Sequence, residues 1–578
     1  MKKKSLFLAI VFCFSGLGFS QAMAGAKSDP VLKAMVGELN RSYKKLKNAE
    51  KAPLYFLQYE VFDKSSYWVG SNLGAITSES DRASKSLTVD ARVGSYELDN
   101  SHEVKGKESR SRGANSKDIG SIQIPFNDED AIKTKIWELT DKSYKEALDK
   151  YLKVVMNKKV TAKEEDKSGD FSLKKRSEVF YQRVELSKIN KAKVKGIIKR
   201  LSAKFKKHDF IINSNVGFYA QNVNKYIVNS EGSQIVTGNN YITVFLSLGA
   251  RTKDGMDLSR SKDYAFDNFK DMPSEKKLSA DLDILIKELE KLTKAKDQEP
   301  FTVPAILNNR SAAVFFHEIF GHRIEGHRQK SASEGQTFAK KVGQEIMPSF
   351  LSVYDDPSMH YFKGQFLRGY YEYDDEAVKS KRVDLVENGV LKGFLMSRIP
   401  IDNFPYSNGH GRRSEGKMSV ARQGNLIIKS RKEVSYKKLK KLLMAEIKKS
   451  DKPYGLIIKD ISGGFTITQR ILPQSFTILI KYAVKVYSDG RPDEIIRGLN
   501  MIGTPLQTFQ KIIYTGDDPK VFNGTCGAES GWVPVSAVSP SLLFSEVETE
   551  KVKKSNEKPP ILRPPYFDGL VQTEAKND

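Results

Sequence analysis

The sequence predicts an α+β fold in which a mixed α/β N-terminal half precedes a β-rich C-terminal half. Three observations lead to this prediction. Helical and strand-like periodicities alternate before residue 300, whereas strand-like alternation dominates after it. The charged, proline-containing stretch 296–300 separates the two regions. With 578 residues, 39% of them hydrophobic, the chain can bury a sizeable core.

In the N-terminal half, apolar residues at helical spacing alternate with runs typical of half-buried strands. The predicted elements are a helix over 29–46, a strand over 53–62, a strand pair within 86–98, basic helical stretches over 130–155 and 171–206, and strands within 211–248. Turns between those last strands are expected at Gly232 and at the Gly238, Asn239, Asn240 triplet. An amphipathic helix over 281–295 closes this half.

In the C-terminal half only two segments have clear helical character, 312–321 and 436–449. The remaining patterned segments alternate as strands do. They are 383–395, 425–429, 455–459, 475–487 and 532–543. The helix over 312–321 carries the most chemically informative residues of the chain.

The N-terminus has the three parts of a secretory signal peptide: a basic start, a short apolar run from Leu6 to Phe14, and the small-residue site Ala22-Met23-Ala24. Cleavage is expected after Ala24, which places the mature protein in the periplasm or outside the cell. The apolar run is short for a membrane anchor, and no later stretch is long and apolar enough, so no stable membrane insertion is expected.

The predicted organisation is therefore a signal peptide over 1–24, an α+β region over 25–300, a β-rich domain over 301–546 and a basic, proline-containing tail over 547–578. The region 25–300 has an alternative division into two subdomains near 125–170. The tail suits an extended strap or a disordered end.

The charge and the cysteine content of the chain indicate which partners and which kinds of site to expect. The formal charge of +24 favours anionic surfaces or acidic substrates, yet no nucleic-acid motif accompanies it, so a solvated basic surface is preferred and no nucleic acid partner is expected. Cleavage after Ala24 removes Cys13 and three lysines, which lowers the charge to +21 and leaves Cys526 alone. A lone thiol in an oxidising compartment indicates a buried core position, an intermolecular bridge, or a metal or catalytic role.

The segment HEIFGH contains His317, Glu318 and His322 on an otherwise apolar helix. Histidines four residues apart share a helical face, but a five-residue spacing places the second about 140° away from the first. Binding of one metal ion by both therefore requires a deformed helix. Gly321 permits that deformation, through a left-handed helix end or a wide π-type turn. The alternative is two histidines that only satisfy core hydrogen bonds.

A carboxylate directly after the first histidine favours the metal interpretation. Glu318 would act as the base that deprotonates a metal-activated water and then returns the proton to a leaving amine. A catalytic metal also needs a third protein ligand and an open position. The candidates for that ligand are Cys526, His327, Glu325 and His410.

These residues carry a family resemblance. The segment HEIFGHRIEGH resembles the His-Glu-x-x-x-His signature of the TldD/PmbA metallopeptidases, also called modulators of DNA gyrase. Segments that agree in order are RASKSLTVDARVGSYELDNS, IVNSEGSQIV, GYYEYDDEAVKSKRVDLVENGVLKGFL, SNGHGRRSEGKMSVARQGNL, KDISGGFTI and FNGTCGAESGWVPVSAVSPSL. The similarity spans roughly residues 30 to 546.

The resemblance implies that His317, His322 and Cys526 bind one divalent metal ion per subunit, with zinc as the default, and that Glu318 is the catalytic glutamate. It implies a TldD-like catalytic subunit that hydrolyses small or unfolded peptides. It also implies a homodimer, or a heterodimer with a PmbA-like subunit. The chain departs from the family pattern at His327, for which an exposed role near the site or at the surface is expected.

Other polar residues have weaker assignments. Asp375, in the acidic cluster Asp374 to Glu376, would hold a peptide amino terminus or orient a histidine, or lie in a solvated turn. Arg412 and Arg413 would clamp a substrate carboxylate or form structural salt bridges. Gly463 and Gly464 indicate a tight turn or close packing.

Together these features predict an exported metal-dependent peptidase. The alternative is a non-catalytic, metal-containing assembly subunit or an envelope-binding subunit.

Overall fold

The protein is represented by a computed structural model. It describes residues 28–566 apart from 104–117, 126–127, 160–164, 175, 332–333, 335–336, 470–471, 473 and 556. The predicted signal peptide lies outside the described residues. Helices and sheets both contribute throughout the described chain, which confirms the α+β fold class.

The helices of the described residues follow the predicted order with small additions. They are α1 (Pro30–Leu46), α2 (Glu129–Lys158), α3 (Lys191–Ala203), α4 (Glu275–Lys294), α5 (Asn309–Ile319), α6 (His327–Lys330), α7 (Tyr436–Lys449) and α8 (Pro505–Gln510). Short 3-10 helices occupy Lys204–Lys207, Phe269–Asp271 and Gly321–Arg323. Local sequence determines where α1 begins. The Asp29 carboxylate caps the helix by accepting hydrogen bonds from the backbone N–H groups of Val31 and Leu32, and Pro30 fits the first turn.

The strands of the N-terminal half are β1 (Leu54–Asn72), β2 (Ala75–Val93), β3 (Ser121–Gln123), β4 (Val179–Gln182), β5 (Asn213–Asn229), β6 (Gln234–Arg251) and β7 (Asp257–Phe266). They form one seven-stranded sheet in the order β3-β2-β1-β5-β6-β4, with β7 also paired to β6.

The strands of the C-terminal half are more numerous and shorter. They are β8 (Lys296–Asp297), β9 (Thr302–Leu307), β10 (Leu351–Asp355), β11 (Tyr361–Phe362), β12 (Gln365–Phe366), β13 (Val383–Glu387), β14 (Val390–Leu391), β15 (Gly411–Arg412), β16 (Val420–Ala421), β17 (Asn425–Ser430), β18 (Glu433–Val434), β19 (Gly455–Thr466), β20 (Phe476–Val486), β21 (Glu494–Arg497), β22 (Leu499–Gly503), β23 (Ile512–Gly516), β24 (Lys520–Ala528), β25 (Gly531–Ser539) and β26 (Leu542–Lys551).

These strands build two main sheets. The nine-stranded sheet has the order β18-β23-β26-β9-β19-β20-β21-β8, with β22 paired to β20 and β26. The six-stranded sheet has the order β14-β13-β10-β17-β25-β24. The pairs β11-β12 and β15-β16 stand apart from both.

Helix α5 lies between the two main sheets of the C-terminal half. It contacts β19 and β20 of the nine-stranded sheet and β24 and β25 of the six-stranded sheet. Its side chains are buried on every face, including Ala312, Phe315, Phe316 and Ile319, as expected for a helix that is apolar all round. The fold therefore places the His-Glu motif inside the core between two sheets.

The long N-terminal sheet presents different faces to its helices and to the C-terminal half. Leu57 and Tyr59 of β1 pack in the core with α1 and α2, and Val69 packs farther along the strand with α3 and α4. Because side chains alternate along a strand, Gln58 and Glu60 face the other way. Gln58 donates to the backbone carbonyl of Asp375, which shows that this second face packs against the C-terminal half.

Several predicted boundaries in the N-terminal half are wrong. Segment 86–98 supplies the end of one long strand, β2, because its residues to 93 pair continuously with β1. The stretch 171–206 contains β4 before its helix begins at Lys191. The Gly238 triplet lies within β6, where Gly238 pairs with Asn224 of β5. Gly232 does form the hairpin turn, with a φ of 90°.

The C-terminal segment packs along the N-terminal half after the last strand. Strand β26 continues to Lys551, beyond the expected end of the domain at residue 546. Lys554 then pairs with Asp254 at 2.6 Å and with Asp297 at 2.7 Å. Glu557 pairs with Arg251 at 2.6 Å, so this segment contacts the N-terminal half as a strap would. Within the described residues, no helix has the length and apolar character that a bilayer crossing requires.

Candidate metal centre

Three side chains from separate elements converge beside α5. His317 lies in the last turn of α5, His322 in the following 3-10 helix, and Cys526 in the edge strand β24. One ligand atom from each lies within 4.8 Å of the others. The Cys526 Sγ and the His322 Nε2 are 3.4 Å apart, and the two imidazole rings lie 5.2 Å apart between centroids. Two nitrogens and a sulfur in this arrangement are a ligand set typical of zinc.

The chain brings His322 back towards His317 without the expected left-handed or π-type turn, so that prediction for Gly321 is wrong. Phe320 keeps a right-handed backbone with φ −98° and ψ −52°, and Gly321 starts the 3-10 helix. A glycine is needed at position 321 because a neighbouring side chain occupies the space that a Cβ would take. A Cβ there would lie 1.9 Å from the Oε1 atom of Gln423, whose Nε2 donates to the carbonyl of His317 at 3.3 Å.

We expect Gly321→Ala to displace Gln423 and destabilise the turn between the histidines. Overpacking of a buried position costs about 1–3 kcal/mol of unfolding free energy. Gly37→Ala is a suitable control, because it lies in α1, where the added Cβ is 3.8 Å from its nearest neighbour, and alanine favours helix. Denaturant unfolding should show a lower free energy of unfolding for Gly321→Ala than for the wild type, and no decrease for Gly37→Ala. Equal stability of the two variants would contradict the packing argument.

Glu318 lies next to the converging ligands. Its Oε2 is 3.9 Å from the Nε2 of His322, and its side chain is 15% exposed. Gly464 lets the backbone of β19 lie close to the Glu318 side chain. A Cβ at this position would lie 3.2 Å from the Cγ of Glu318 and 2.9 Å from the carbonyl of Thr477. Burial raises the pKa of Glu318, although both histidines oppose the shift. A carboxylate of raised pKa beside a metal site is suited to accept a proton from water.

The charges of the three ligands are mutually dependent. Burial opposes ionisation of Cys526, but His322, His317 and Arg422 lower the pKa of its thiol well below the usual value. Burial likewise opposes protonation of His322, yet Cys526 and Glu325 raise its pKa well above the ordinary range. The thiolate form is the form that binds metals. Among the residues that the structure describes, the buried Nδ1 of His317 has no hydrogen-bond partner. These features fit a divalent metal ion, which would replace the protons on the imidazoles.

The other sequence candidates for the third ligand lie outside this group. His410 is fully buried, and its ring contacts Asn408 Oδ1 at 3.0 Å and Asp355 Oδ1 at 3.2 Å. His327 is 7% exposed and hydrogen-bonds to Glu529, so its expected exposed position is wrong. His327 and Arg328 of the short helix α6 both bond to Glu529 in the β24–β25 connection. Glu325 touches the far side of the His322 ring instead of facing Cys526.

The candidate substrate residues Asp375, Arg412 and Arg413 are all buried and bonded to the chain itself. Asp375 accepts from the backbone N–H of Arg413 at 2.6 Å and forms an ion pair with Lys225. Arg413 donates to Glu60 at 2.5 Å. For Arg413 this geometry favours the salt-bridge alternative, because Glu60 lies in the N-terminal half of the chain. Asp375 is buried, so the solvated turn considered for it is wrong.

Arg412 has a structural connection to the centre. It donates to the carbonyls of Gln423 at 2.7 Å and Pro534 at 2.6 Å. It thereby holds the residue that fits against Gly321. Among the residues that the motif did not single out, Gln423, Arg422 and Arg328 contribute most to the surroundings of the ligands. Arg422 and Gln423 had only one sequence signal, their position in a segment that resembles the family, because their partners lie about 100 residues away along the chain. Arg328 follows the HEIFGHRIEGH segment directly and had no such signal.

Comparison with known proteins places these residues in a family context. Residues 300–551 match a family described as the PmbA/TldA metallopeptidase C-terminal domain. A metalloprotease of Methanocaldococcus jannaschii is 28% identical over 246 residues, which cover 42% of this chain and 50% of that protein. A metalloprotease TldD homolog of Buchnera aphidicola is 29% identical over 253 residues, covering 43% of this chain and 47% of that protein. This chain thus spans about half the length of these two relatives.

A zinc metalloprotease TldD homolog of Saccharolobus solfataricus is 23% identical over 373 residues, which cover 63% of this chain and 77% of that protein. Two solved structures share the fold. TldE from Thermococcus kodakarensis has a TM-score of 0.58 at 14% identity, covering 89% of this chain and 100% of that one. A modulator of DNA gyrase from Thermotoga maritima has a TM-score of 0.57 at 16% identity, covering 89% and 99%. The match of residues 300–551 to the PmbA/TldA C-terminal domain, the TldD homologues among the relatives and the shared fold all support the resemblance of this chain to the TldD/PmbA metallopeptidase family.

Proposed function

We propose that this chain is an exported metal-dependent peptidase that hydrolyses peptide bonds of small or unfolded peptides. The observation that carries the proposal is the convergence of His317, His322 and Cys526 within 4.8 Å, with the Glu318 carboxylate 3.9 Å from His322. The names of the relatives, which are metalloproteases and in one case a zinc metalloprotease, support the same activity and the choice of zinc.

In this proposal each residue has one task. His317, His322 and Cys526 would hold one divalent ion, which would polarise the carbonyl of the substrate and lower the pKa of a water molecule. Glu318 accepts the proton of that water and delivers it to the amine that leaves. A set of three protein ligands is typical of catalytic rather than purely structural zinc sites. Burial of the site among two sheets limits the competing access of bulk water.

Export and assembly are further parts of the proposal. Export rests on the basic, apolar and small-residue segments of the first 24 residues. The likeness in fold to TldE supports a subunit interaction within the family, either with a second copy of this chain or with a PmbA-like partner.

Purified mature protein tests the proposal. We expect it to cleave members of an unstructured peptide library, to lose at least about 90% of that activity after treatment with a chelator, and to regain it on addition of Zn²⁺. Mass spectrometry of the products identifies the cleaved bonds. Folded, metal-loaded protein that cleaves no library member would contradict the peptidase assignment and favour a non-catalytic metal-containing subunit.

A further inference from the structure

Glu325 is a fully buried carboxylate that contacts one candidate metal ligand. Its Oε1 lies 3.5 Å from the Nδ1 of His322 and 3.4 Å from the Nε of Arg422. Its Oε2 accepts from the Nε of Arg328 at 2.8 Å. The opposite nitrogen of the same imidazole, Nε2, faces Cys526 at 3.4 Å. The carboxylate therefore lies behind the ring on the side away from the other two ligands.

The two arginines on Glu325 extend this contact to the strand that carries Cys526. Arg422 is fully buried and donates through Nη2 to the carbonyl of Cys526 at 2.8 Å. Its Nη1 donates to the Oγ of Ser530 at 3.0 Å and to the carbonyl of Gly531 at 3.1 Å. The arginine thus fixes both ends of the β24–β25 hairpin tip.

Arg328 makes the second link to that hairpin. Its Nη2 donates to the Oε2 of Glu529 at 2.9 Å, and the other oxygen of Glu529 bonds to His327. His322 and Cys526 are 204 residues apart in the chain. One carboxylate and two arginines consequently connect the turn of the first to the hairpin of the second.

Stability alone is a poor explanation for so many buried charges. Replacing a buried ion-pair network with well-packed apolar residues is often neutral or stabilising, because desolvation offsets the attraction between the charges. In contrast, a carboxylate that engages the outer nitrogen of a metal-bound imidazole fixes the tautomer and the orientation of the ring. Glu325 Oε1 lies 3.5 Å from Nδ1 of His322 and, among the described residues, has no hydrogen-bond partner, so it is placed to engage this nitrogen.

We propose that Glu325 is a positioning residue of the metal centre, which orients the His322 ring through Nδ1 and, together with Arg422, sets its distance from Cys526. The proposal rests on the metal centre proposed above. The proposed role of Glu325 is distinct from metal ligation, because Glu325 contributes no atom to the group formed by His317, His322 and Cys526.

The test compares Glu325→Gln with Glu334→Gln in the full mature chain. Glu334 is a matched control, since its Oε1 also contacts Arg328, at 3.2 Å through Nη1, but it pairs with Arg328 and not with one of the candidate metal ligands. Competition with a chromogenic chelator measures the zinc affinity. We expect Glu325→Gln to bind zinc about 10- to 100-fold more weakly than the wild type, and Glu334→Gln to stay within about threefold.

Absorption of the cobalt-substituted proteins provides a readout that a purely structural ion pair would not change. The ligand-field bands should shift in Glu325→Gln because the imidazole reorients, and should match the wild type in Glu334→Gln. Glu325→Asp keeps the charge between the arginines while withdrawing it from the ring, so it preserves the test if the glutamine variant does not fold. We expect the same bands to shift and zinc binding to weaken in the folded aspartate variant.

Wild-type affinity and spectra in folded Glu325→Gln or Glu325→Asp would overturn the positioning role, as would an equal loss in Glu334→Gln. These results differ from a failure of the proposed function. If the wild-type protein binds no zinc, the metal centre itself is excluded. If the wild type binds zinc and the Glu325 variants bind it equally well, only the role of Glu325 is excluded.

Discussion

Glu318→Gln should abolish most of the peptide hydrolysis while the metal ion stays bound. Glutamine keeps the size of the side chain and its packing against Gly464, but it cannot accept the proton of the attacking water. Because a positioned general base contributes about 10²- to 10⁴-fold to a rate, kcat should fall by that factor. The substrate contacts remain, so KM should change much less.

The measurement is steady-state cleavage of a fluorogenic peptide together with the metal content of the same sample. Glu79→Gln is a control for the loss of a carboxylate, since Glu79 lies on β2 of the N-terminal sheet and pairs with Lys195 at 3.3 Å. Its activity should equal that of the wild type. Turnover of metal-loaded Glu318→Gln at the wild-type rate would exclude Glu318 as the base and favour the non-catalytic alternative for this site.

The ligand residues could be predicted from the sequence better than the path of the chain between them. His317, Glu318 and His322 form a local motif, and Cys526 is the only cysteine after the predicted cleavage. The course of the turn at Gly321 depends on Gln423, which comes from about 100 residues farther along the chain. A local pattern indicates that a glycine can end or deform a helix, but it does not identify the distant side chain that occupies the space of its Cβ.

The same limit applies to the buried charges between the halves of the chain. Glu60 occupies an alternate position in β1, which a period-two pattern interprets as solvent-facing. In the structure that face of the sheet is covered by the C-terminal half, and burial raises the pKa of Glu60 to about 7, although Arg413 opposes the shift. Arg413 consequently joins two regions instead of extending towards a substrate. Periodicity predicted the strand, and only the packing of the halves determined what its second face contacts.

Cys526→Ser and His322→Ala should each reduce bound metal from about one equivalent per chain to near zero after dialysis. A serine hydroxyl stays protonated near neutral pH and is a weak ligand for zinc, whereas the surroundings of Cys526 favour its thiolate. Loss of a direct ligand should weaken zinc binding by more than about 100-fold, which exceeds the effect of residues that act behind a ligand. Elemental analysis of the dialysed proteins measures this loss.

Thermal unfolding should report the same change independently of activity. A ligand that binds only the folded state at 100 times its Kd adds about 2.7 kcal/mol to the free energy of unfolding, so a 100-fold weaker site loses most of that gain. Added zinc should therefore raise the Tm of the wild type and of Thr525→Ser, an exposed neighbour in β24, but hardly change that of Cys526→Ser. Since His322 lies in the 3-10 helix after α5 and Cys526 lies in strand β24, an equal loss of the zinc-dependent rise in both variants would indicate one shared ion. A full equivalent of metal in both variants would instead place the ion elsewhere in the chain.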